Sequence, residues 1–292
     1  MIEIQSVGLI GNSGKPAFAE VARRAAKLVA DAGRVVCCDS TTAGLASLKA
    51  RIFATPSLLA REVDMLMVFG GDGTMLRAAR EIAGSRTPVL GINTGSLGFL
   101  TAVSSEEMPQ ALEQVWAGRY QLESRHLLEA FGDTSAGKVA HTALNDLVIG
   151  RGAATRLIEL DVAVDGHPLT RYRCDGLIVS SPTGSTAYSL AAGGAIVFPT
   201  AAVLELTPIC PHTLSNRSLI VPRSSAISVK VISSKPETIL SADGQTVCEL
   251  ACNDLITLRS SRKSVRLMQM AGSSFPDTLR RKLHWRGTPL SI

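Results

Sequence analysis

Continuous apolar runs predict four strands in the first third of the chain. The clearest is Met65–Phe69, and shorter runs cover Val7–Ile10, Val35-Val36 and Pro88–Ile92. Runs without polar alternation are typical of parallel strands, because helices cover both faces of such a sheet. These segments therefore predict a parallel sheet in the N-terminal part of the protein.

Segments with helical periodicity lie between these predicted strands. Pro16 begins a stretch whose apolar residues recur every three or four positions and which ends near Gly33. A second helix is expected from about Met75 to Ala83, and Ser104 and Glu107 have the spacing of a capping box before a third. This strand–helix alternation predicts a doubly wound, Rossmann-like α/β domain over residues 1–122.

After residue 122 the pattern becomes that of β structure. Segments at 144–149, 157–162, 227–231 and 254–258 are typical of strands, and Asp165-Gly166 and Asp243-Gly244 are hairpin signals. We predict a β-rich, sandwich-like domain over residues 123–270 with one short helix near Thr186–Ala192. A tail over residues 271–292, helical from Pro276 to Trp285, is expected to pack back on the N-terminal domain.

Length and composition limit the class of protein. A chain of 292 residues is long for one core, and 46% hydrophobic with 19% charged residues suits a packed, two-domain globular protein. No apolar run is long enough to cross a bilayer, and the N-terminus lacks the pattern of a signal peptide. We therefore expect a cytoplasmic protein with no membrane partner, whose six cysteines are reduced and mostly buried.

The charge balance favours a small anionic ligand over nucleic acid. The net charge is +5, but the basic residues are scattered, and the densest cluster is Arg280-Arg281-Lys282. Aromatic residues make up only 4% of the chain, which leaves little material for stacking bases. A mild positive field suits a nucleotide, and we expect no nucleic-acid partner.

The segment Gly70-Gly71-Asp72-Gly73-Thr74 carries the first candidate chemistry. It follows a buried strand and precedes a helix, so its backbone amides could approach phosphate oxygens at a helix N-terminus. A carboxylate is electrostatically unfavourable among such amides, unless Asp72 accepts a proton from an attacking hydroxyl or orients it. On local chemistry alone, a tight turn with an Asx-type hydrogen bond explains the segment equally well.

Two other glycine-rich segments resemble known nucleotide-binding motifs but do not match them. In Gly11–Pro16 the first glycine of a Walker A loop falls on Leu9, and Pro16 stands where Ser or Thr would hold Mg²⁺. Gly91–Gly98 lacks the Gly-x-Gly-x-x-Gly spacing of a dinucleotide fingerprint, and by itself is typical of a strand-to-loop turn. An ordinary Rossmann dehydrogenase is therefore disfavoured.

In the β region, Asp175–Ser189 is dense in small hydroxyl residues and glycines. Such a segment can present donors to ribose and adenine edges, with Tyr188 as a stacking face. It is also compatible with a Ser/Thr-rich turn that caps a helix at Ser185. Asn145-Asp146 lies in an apolar run, where polar side chains need hydrogen bonds, either from the fold or from a ligand.

Together these segments resemble the NAD kinase family. Gly70-Gly71-Asp72-Gly73 before a helix, Asn93–Leu100, Leu144-Asn145-Asp146 and Asp175–Tyr188 match family motifs in order over nearly the whole chain. Four separated motifs are more specific than Gly-Gly-Asp-Gly alone, which 6-phosphofructokinases and lipid kinases share. The resemblance implies transfer of the terminal phosphoryl group of ATP, or of a related donor, to the 2′-hydroxyl of the adenosine ribose of NAD. It further implies a divalent cation, Mg²⁺ or Mn²⁺, and a homodimer or homotetramer.

The resemblance also implies roles for individual residues. Asp72 matches the proton acceptor, Phe99 the aromatic beside adenine, and Asn145-Asp146 the pair that contacts ribose hydroxyls, where many members carry Glu in place of Asp146. His212 matches a histidine near the active site. The full set of implied substrate- or nucleotide-binding positions is Gly70, Gly71, Gly73, Arg77, Phe99, Asn145, Asp146, Arg156, Arg173, Asp175, Thr186, Ala187, Tyr188, Ser189, Ala191, His212 and Gln245. The metal ligands remain unassigned.

Three alternatives stay open at this stage. A related lipid or sugar kinase shares the glycine motif, although we find no convincing membrane-facing element. A catalytically silent dinucleotide sensor would bind NAD without turnover, which the intact Asp72 disfavours. A nucleic-acid binder would show salt-dependent binding.

Overall fold

The structure is a computed structural model that describes residues 3–11, 17–95, 98–101, 103–153, 156–213, 216–234 and 237–285. Pro16, where the first helix was predicted to begin, most of the segment that approaches a Walker A loop, and Ser96-Leu97 of the Asn93–Leu100 motif lie outside these residues. The chain divides into two compact units. Unit 1 comprises Met1–Ser124 and Val265–Ile292, and unit 2 comprises Arg125–Ser264. The domain boundaries predicted after residues 122 and 270 remain a prediction.

The elements of the N-terminal part alternate between strand and helix. In chain order they are β1 (Ser6–Gly11), α1 (Ala17–Asp31), β2 (Val35–Asp39), α2 (Ser40–Ala46), β3 (Arg51–Phe53), α3 (Pro56–Glu62), β4 (Met65–Phe69), α4 (Asp72–Glu81), β5 (Pro88–Asn93), β6 (Val103–Ser104) and α5 (Met108–Trp116). Strand β7 (Tyr120–Thr134) begins in unit 1 and ends in unit 2.

The later elements are mostly strands. They are β8 (Gly137–Ala143), β9 (Asp146–Arg151), β10 (Ile158–Val164), β11 (His167–Cys174), β12 (Gly176–Ser180), a 3-10 turn (Gly184–Thr186), α6 (Tyr188–Ala191), β13 (Val203–Ile209), β14 (Leu219–Pro222), β15 (Ala226–Val231), β16 (Thr238–Ala242), β17 (Gln245–Leu250), β18 (Leu255–Met270) and α7 (Phe275–Lys282). The last residues of β18, from Val265, and the whole of α7 belong to unit 1.

Unit 1 is a parallel sheet with the strand order β3-β2-β1-β4-β5, extended beyond β5 by the end of β18. The order reverses direction at β1, so the carboxyl ends of β1 and β4 lie side by side. In open α/β sheets, ligands bind at the carboxyl ends of the strands where the order reverses. The topology therefore places Gly70-Gly71-Asp72, which follows β4, at the expected ligand position of the sheet.

Helices pack against both faces of this sheet. One core joins Phe18 and Val29 of α1, Ala46 of α2 and Leu112 of α5 to alternate residues of the strands. On the opposite face, a Cβ on Gly8 would lie 3.0 Å from Leu59 of α3. Because two layers of helix cover the sheet, all five residues of β4 are buried. The predicted doubly wound α/β domain is confirmed.

Helix α4 begins three residues earlier than the sequence predicted. Its N-cap is Gly71, and Asp72 is its first residue. An acidic side chain in the first turn is stabilised by the helix dipole, whereas the sequence pattern counted only the apolar residues from Met75 onward. The correction matters because it puts Asp72 on a regular helix rather than in a free loop.

Unit 2 consists of two antiparallel sheets around one core. One sheet has the order β14-β13-β12-β9-β16-β17, and the other contains β11-β10-β15-β18 with β7 and β8. Inward residues of both sheets, among them Ile149, Leu177, Leu160 and Val229, form a single buried cluster. This arrangement confirms the predicted β-rich, sandwich-like fold.

Both predicted hairpins are present. Asp165-Gly166 joins β10 to β11, and Asp243-Gly244 joins β16 to β17. All four residues have positive φ, between 47° and 80°, as a two-residue turn of this type requires. The single helix predicted at Thr186–Ala192 is instead a 3-10 turn and the short α6, separated by Ala187 with φ −106° and ψ −125°.

The expectation that the cysteines are mostly buried is half correct. Cys37, Cys38 and Cys174 are buried, whereas Cys210 and Cys252 are exposed. All six carry free thiols. Among the described residues, no helix is both long and apolar enough to span a membrane.

Candidate active site

The phosphate turn, residues 70–73, is shaped by the close approach of Gly70 to the helix that follows. Gly70 has φ 153°, and a Cβ at this position would lie 2.3 Å from Oγ1 of Thr74. Its N–H donates to the carbonyl of Ile92 on β5, at 3.0 Å. Gly71 and Gly73, in contrast, have open space where a side chain would be. Their backbone is accessible to a ligand at the carboxyl end of β4.

Asp72 is held by the backbone of a second loop. The N–H of Phe99 donates to its Oδ2 at 2.8 Å, and the N–H of Leu100 donates to its Oδ1 at 3.0 Å. Both bonds reach a charged acceptor and fix the plane of the carboxylate. The side chain is only partly buried, so the carboxylate is oriented and still within reach of solvent.

Gly98 makes this contact possible. A Cβ on Gly98 would lie 1.9 Å from Oδ1 of Asp72 and 2.7 Å from Oγ1 of Thr101. Thr101 in turn accepts a hydrogen bond from the buried side chain of Asn93, at 3.0 Å. The loop after β5 thus fits around the Asp72 carboxylate only because residue 98 has no side chain.

Arg77 lies one turn of α4 beyond the phosphate turn. Its Nη2 donates to the carbonyl of Gly11 at the carboxyl end of β1, at 2.6 Å. The guanidinium is half-buried and ties α4 to the neighbouring strand at the point where the strand order reverses. In unit 1 the structure therefore brings together Asp72, Phe99 and the phosphate turn, with Arg77 bracing the strands behind them.

In unit 2, the carboxylate of Asp243 organises the segment Leu144-Asn145-Asp146. It accepts hydrogen bonds from the N–H of Leu144 at 3.1 Å, of Asn145 at 2.8 Å and of Asp146 at 3.4 Å. The N–H of Asp243 donates back to the carbonyl of Asp146 at 3.0 Å. The hairpin turn thus fixes the backbone of the pair that was expected to contact ribose.

The same segment is held from the other side by the strand end at β12. Oγ of Ser181 donates to the carbonyl of Leu144 at 2.6 Å, and N–H of Ser181 donates to the carbonyl of Asn145 at 2.9 Å. Gly184 packs so closely that a Cβ would lie 2.1 Å from the Asn145 carbonyl oxygen. Backbone donors and acceptors of residues 144–146 are both satisfied, and the Asn145 side chain remains half-exposed.

Asp146 is the most perturbed carboxyl group of this set. Its side chain is 4% exposed. Burial, and secondly the negative charge of Asp243, raise the pKa of Asp146 from 3.8 to about 7. Near neutral pH this group can therefore donate or accept a hydrogen bond.

The segment 186–191 divides into exposed and buried members. Tyr188 is exposed, and Thr186 and Ala187 are partly exposed. Ser189 is fully buried, and its hydroxyl donates to Glu205 at 2.8 Å and lies 2.9 Å from Oγ1 of Thr207. The Ser189 hydroxyl thus points into the fold, and a ligand contact there remains a prediction.

Five further predicted positions lie elsewhere in unit 2. Asp175 forms an ion pair with Nε of Arg151 at 2.7 Å, at the start of β12. Arg173 and His212 are exposed and are joined by a bond from the N–H of His212 to the carbonyl of Arg173, at 2.8 Å. Arg156 and Gln245 are exposed. The role of Arg156 stays a prediction.

Sequence reasoning missed four residues that shape these sites: Gly98, Gly184, Asp243 and Glu205. Asp243 was recognised only as a hairpin residue, yet an Asp rather than an Asn before Gly was a signal for a carboxylate acceptor. Gly98 and Gly184 lie within the motifs that the sequence analysis identified. However, nothing in the neighbouring sequence distinguishes a glycine that is required for a close contact from one that is required for a turn. Glu205 in an apolar strand was the clearest unused signal, because a buried carboxylate needs partners.

Comparison with known proteins identifies the class that this architecture represents. A doubly wound sheet with a carboxylate at the reversal of strand order is typical of nucleotide-binding enzymes. The family model for the ATP-NAD kinase N-terminal domain matches residues 7–120, and that for the ATP-NAD kinase C-terminal domain matches residues 144–270. The chain belongs to the ATP-NAD kinase family, and it is a kinase.

Individual relatives agree with this placement. The NAD kinase of Magnetococcus marinus is 38% identical over 288 residues, which cover 98% of this chain and 95% of that protein. The NAD kinase of Symbiobacterium thermophilum is 48% identical over 223 residues, 76% of this chain and 79% of that protein.

Two solved structures are also similar. Yeast NADH kinase complexed with NADH has a TM-score of 0.89 at 28% identity, and the match covers 99% of this chain and 90% of that one. An NAD kinase from Archaeoglobus fulgidus in complex with ATP has a TM-score of 0.71 at 25% identity, with 91% and 94% coverage.

Proposed function

We propose that this chain transfers the terminal phosphoryl group of ATP to the 2′-hydroxyl of the adenosine ribose of NAD, giving NADP and ADP. Family membership supports the reaction class, and the relatives named above include one with ATP bound and one with NADH bound. The observation that carries the proposal is the Asp72 carboxylate, which two backbone amides orient at the carboxyl end of β4.

Asp72 is the proposed proton acceptor. A ribose hydroxyl is a weak nucleophile at neutral pH, so a carboxylate within hydrogen-bonding distance orients it and takes its proton as the new bond forms. The 2′-oxygen bonds to the γ-phosphorus, the bond from that phosphorus to the β,γ-bridging oxygen breaks, and ADP leaves with the electron pair. The N–H groups of Gly71 and Gly73 would donate to the transferred group.

The proposed acceptor site is built from unit 2 residues. Asn145 and Asp146 are assigned to ribose hydroxyls, and Tyr188 with Thr186 to the nucleoside edges. The support is geometric, because the backbone of 144–146 is held on both sides and the Asn145 amide is half-exposed beside the buried carboxyl group of Asp146. The remaining positions predicted by resemblance are assigned to the dinucleotide without a specific atom.

A divalent cation fits the chemistry of the phosphate turn. Among the described residues, no three His, Cys, Asp or Glu side chains cluster to hold a metal ion. Mg²⁺ commonly takes one or two carboxylates and completes its shell with substrate phosphates and water, so Asp72 and the donor phosphates would hold it. When bound, it would offset charge on the phosphates.

We further propose a homo-oligomer that acts in the cytoplasm, where NAD and ATP are both available, and that binds neither nucleic acid nor membranes. Polyphosphate remains an alternative donor.

An assay with defined donors tests the function. Purified protein is incubated with NAD, Mg²⁺ and either ATP or polyphosphate, and NADP is measured with an NADP-specific dehydrogenase. Wild-type protein should form NADP with at least one donor, whereas Asp72→Asn should lose about 10²–10⁴-fold in kcat because the proton acceptor is gone. Absence of NADP with every donor overturns the proposed activity, and wild-type turnover by folded Asp72→Asn overturns the role of Asp72.

A further inference from the structure

Unit 2 contains a depression whose lining is basic and rich in hydroxyl groups. Its volume is about 470 Å³, within the range of about 300–1,000 Å³ that is common for small-molecule sites. The polar residues that line it are His126, Arg223, Ser224, Ser260, Ser261 and Arg262. Among the described residues, no carboxylate lines the depression, and none of its residues is assigned to NAD or ATP above.

Strand pairing brings the lining segments together. Strands β15 and β18 are antiparallel, with Ala226 opposite Arg259. The turn that precedes β15 therefore lies beside the residues that follow Arg259 on β18, which are 260–262. Strand β7 also pairs with β18 and supplies His126. The depression is thus built on a regular sheet and on one turn at its end.

That turn is closed by backbone hydrogen bonds. Arg223 and Ser224 are its two central residues, because the N–H of Ser225 donates to the carbonyl of Pro222 at 3.0 Å. The N–H of Arg223 donates to the carbonyl of Ala202, also at 3.0 Å. The backbone of the turn is therefore fixed, and its two central side chains line the depression.

Two arginines supply positive charge to the depression. Arg223 and Arg262 are exposed, and neither forms an ion pair within the part of the chain that the structure describes. A guanidinium group binds phosphate oxygens through two parallel hydrogen bonds. Two such groups match the charge of a phosphate monoester near neutral pH, which is about −1.5 to −2.

Serine hydroxyls add further donors. Ser261 is 4% exposed, and its Oγ accepts a hydrogen bond from the N–H of Lys263 at 3.2 Å. A hydroxyl that accepts a bond still has its own hydrogen to donate. Ser224 and Ser260 line the same depression. Charged forks together with hydroxyl donors suit an anion that has several acceptor oxygens.

His126 lies in the positive potential of this cluster. The residue is half-buried, and burial, and secondly the charge of Arg223, lower the pKa of His126, whereas a hydrogen bond to the Ser261 backbone raises it. Like charges that lie close together disfavour one another, and a bound anion would offset this repulsion. The lining therefore favours a negatively charged ligand over a neutral one.

We propose that this depression binds the phosphate group of a small phosphorylated molecule, with Arg223 and Arg262 as the charged partners. Inorganic phosphate offers the same oxygens, but a volume of about 470 Å³ also accommodates the organic part of a monoester. The inference is independent of the proposed function, because no residue of the depression is assigned to either substrate.

Titration of the full chain with defined anions tests the proposal. The probes are ribose 5-phosphate and inorganic phosphate at constant ionic strength, with ribose as the uncharged control. Binding is measured by calorimetry and by NMR of the His126 ring, one of five histidines in the chain, whose signals are assigned by their loss in His126→Gln.

Three substitutions locate the site. Arg223→Gln and Arg262→Gln each remove a charge from the lining, and Arg262→Lys keeps the charge without the planar fork. Lys263→Gln is the matched control, because Lys263 follows Arg262 on β18, is also exposed and does not line the depression. Thermal unfolding without ligand establishes that each variant is folded.

Ribose 5-phosphate should shift the His126 signals of the wild type and bind more tightly than inorganic phosphate, whereas ribose should do neither. Arg223→Gln and Arg262→Gln should each raise the Kd of ribose 5-phosphate about tenfold or more, because each removes a charge-assisted contact. Arg262→Lys should lose less than Arg262→Gln, and Lys263→Gln should change the Kd less than twofold.

Several outcomes overturn the inference. If neither phosphate shifts the His126 signals, the depression is not a phosphate site. Equal losses in Arg262→Gln and Lys263→Gln would indicate general attraction by the positive surface, and binding of inorganic phosphate alone would exclude a phosphorylated molecule as the ligand. None of these measurements requires turnover, so their failure is separate from failure of the proposed reaction.

Discussion

At the scale of single residues, Gly98 determines whether Asp72 can occupy its position. The missing side chain leaves room for Oδ1 of Asp72, and a Cβ there would lie only 1.9 Å away. We predict that Gly98→Ala displaces the carboxylate, or the amides of Phe99 and Leu100 that hold it. Because misplacement of a reacting group by about 1 Å can reduce the rate about 10²-fold, kcat should fall by at least that factor.

The control for this prediction is Gly44→Ala. Gly44 also lies in unit 1, within α2, and a Cβ there meets no atom within 4 Å. Alanine at this helical position should leave kcat unchanged and raise stability slightly, by about 0.5–1 kcal/mol. Steady-state kinetics and thermal unfolding of both variants distinguish the effects. Wild-type kcat in Gly98→Ala would show that the Asp72 geometry does not limit the reaction.

Sequence reasoning reached Asp72 but not the reason why its carboxylate is oriented. The motif around residues 93–100 was visible, yet the contact between Gly98 and Asp72 joins segments 26 residues apart and depends on how β4 and β5 pair. Glycine at position 98 looks, in the sequence, like any glycine of a turn. Long-range steric requirements of this kind are not local properties, so only the folded chain displays them.

At the scale of elements, the hairpin between β16 and β17 positions the segment 144–146. Three backbone amides donate to the single carboxylate of Asp243. We predict that Asp243→Asn, which tolerates the positive φ of this position but accepts fewer bonds, leaves amides of this segment without a charged acceptor. The expected result is a KM for NAD raised about tenfold, with the KM for ATP nearly unchanged.

A second hairpin of unit 2 supplies a matched control. Asp165 has φ 51°, also precedes Gly, and its carboxylate accepts from the N–H of Ala226 at 2.8 Å. Asp165→Asn should lower stability slightly without changing either KM, because this turn holds no predicted ligand residue. Equal kinetic effects of the two substitutions would mean that Asp243 stabilises the sheet and does not position the substrate.

Elements with strong periodicity were predictable, and short ones were not. The continuous runs of β1, β4 and β5 and both Asp-Gly hairpins were read from the pattern alone. Helix α3 was missed although Thr55 caps it and Pro56 begins it, because seven residues carry too little periodicity. The start of α4 was misplaced because its first turn is polar and follows a glycine. A pattern of hydrophobic residues does not include such a turn.

At the scale of the whole molecule, Asp146 couples the candidate site to folding stability. Burial and the charge of Asp243 raise its pKa from 3.8 to about 7 on folding. Between these pH values the folded protein holds one proton more than the unfolded chain. Linkage then requires that this group lowers the free energy of unfolding as pH rises from about 4 to about 7, with no further change above.

Other titratable groups also contribute to the pH dependence of the free energy of unfolding. Burial lowers the pKa of His126, so that group adds stability as pH rises toward 6.5. Hydrogen bonds lower the pKa of Glu107, which adds stability at pH values above its usual range and loses it on acidification. These contributions are common to wild type and to a variant at Asp146, so the difference in stability between the two proteins measures the contribution of Asp146.

We therefore predict that Asp146→Asn changes the free energy of unfolding more favourably at pH 8 than at pH 4.5. The amide cannot ionise, so the variant avoids an ionised group buried beside Asp243, and the stability difference should be larger at pH 8 by about 3 kcal/mol. Guanidinium unfolding of both proteins at the two pH values measures this difference. Asp133→Asn, at an exposed position on β7, should show the same small difference at both pH values. A pH-independent effect of Asp146→Asn would instead mean that Asp146 is ionised throughout, and the expected donor role of its carboxyl group near neutral pH would be wrong.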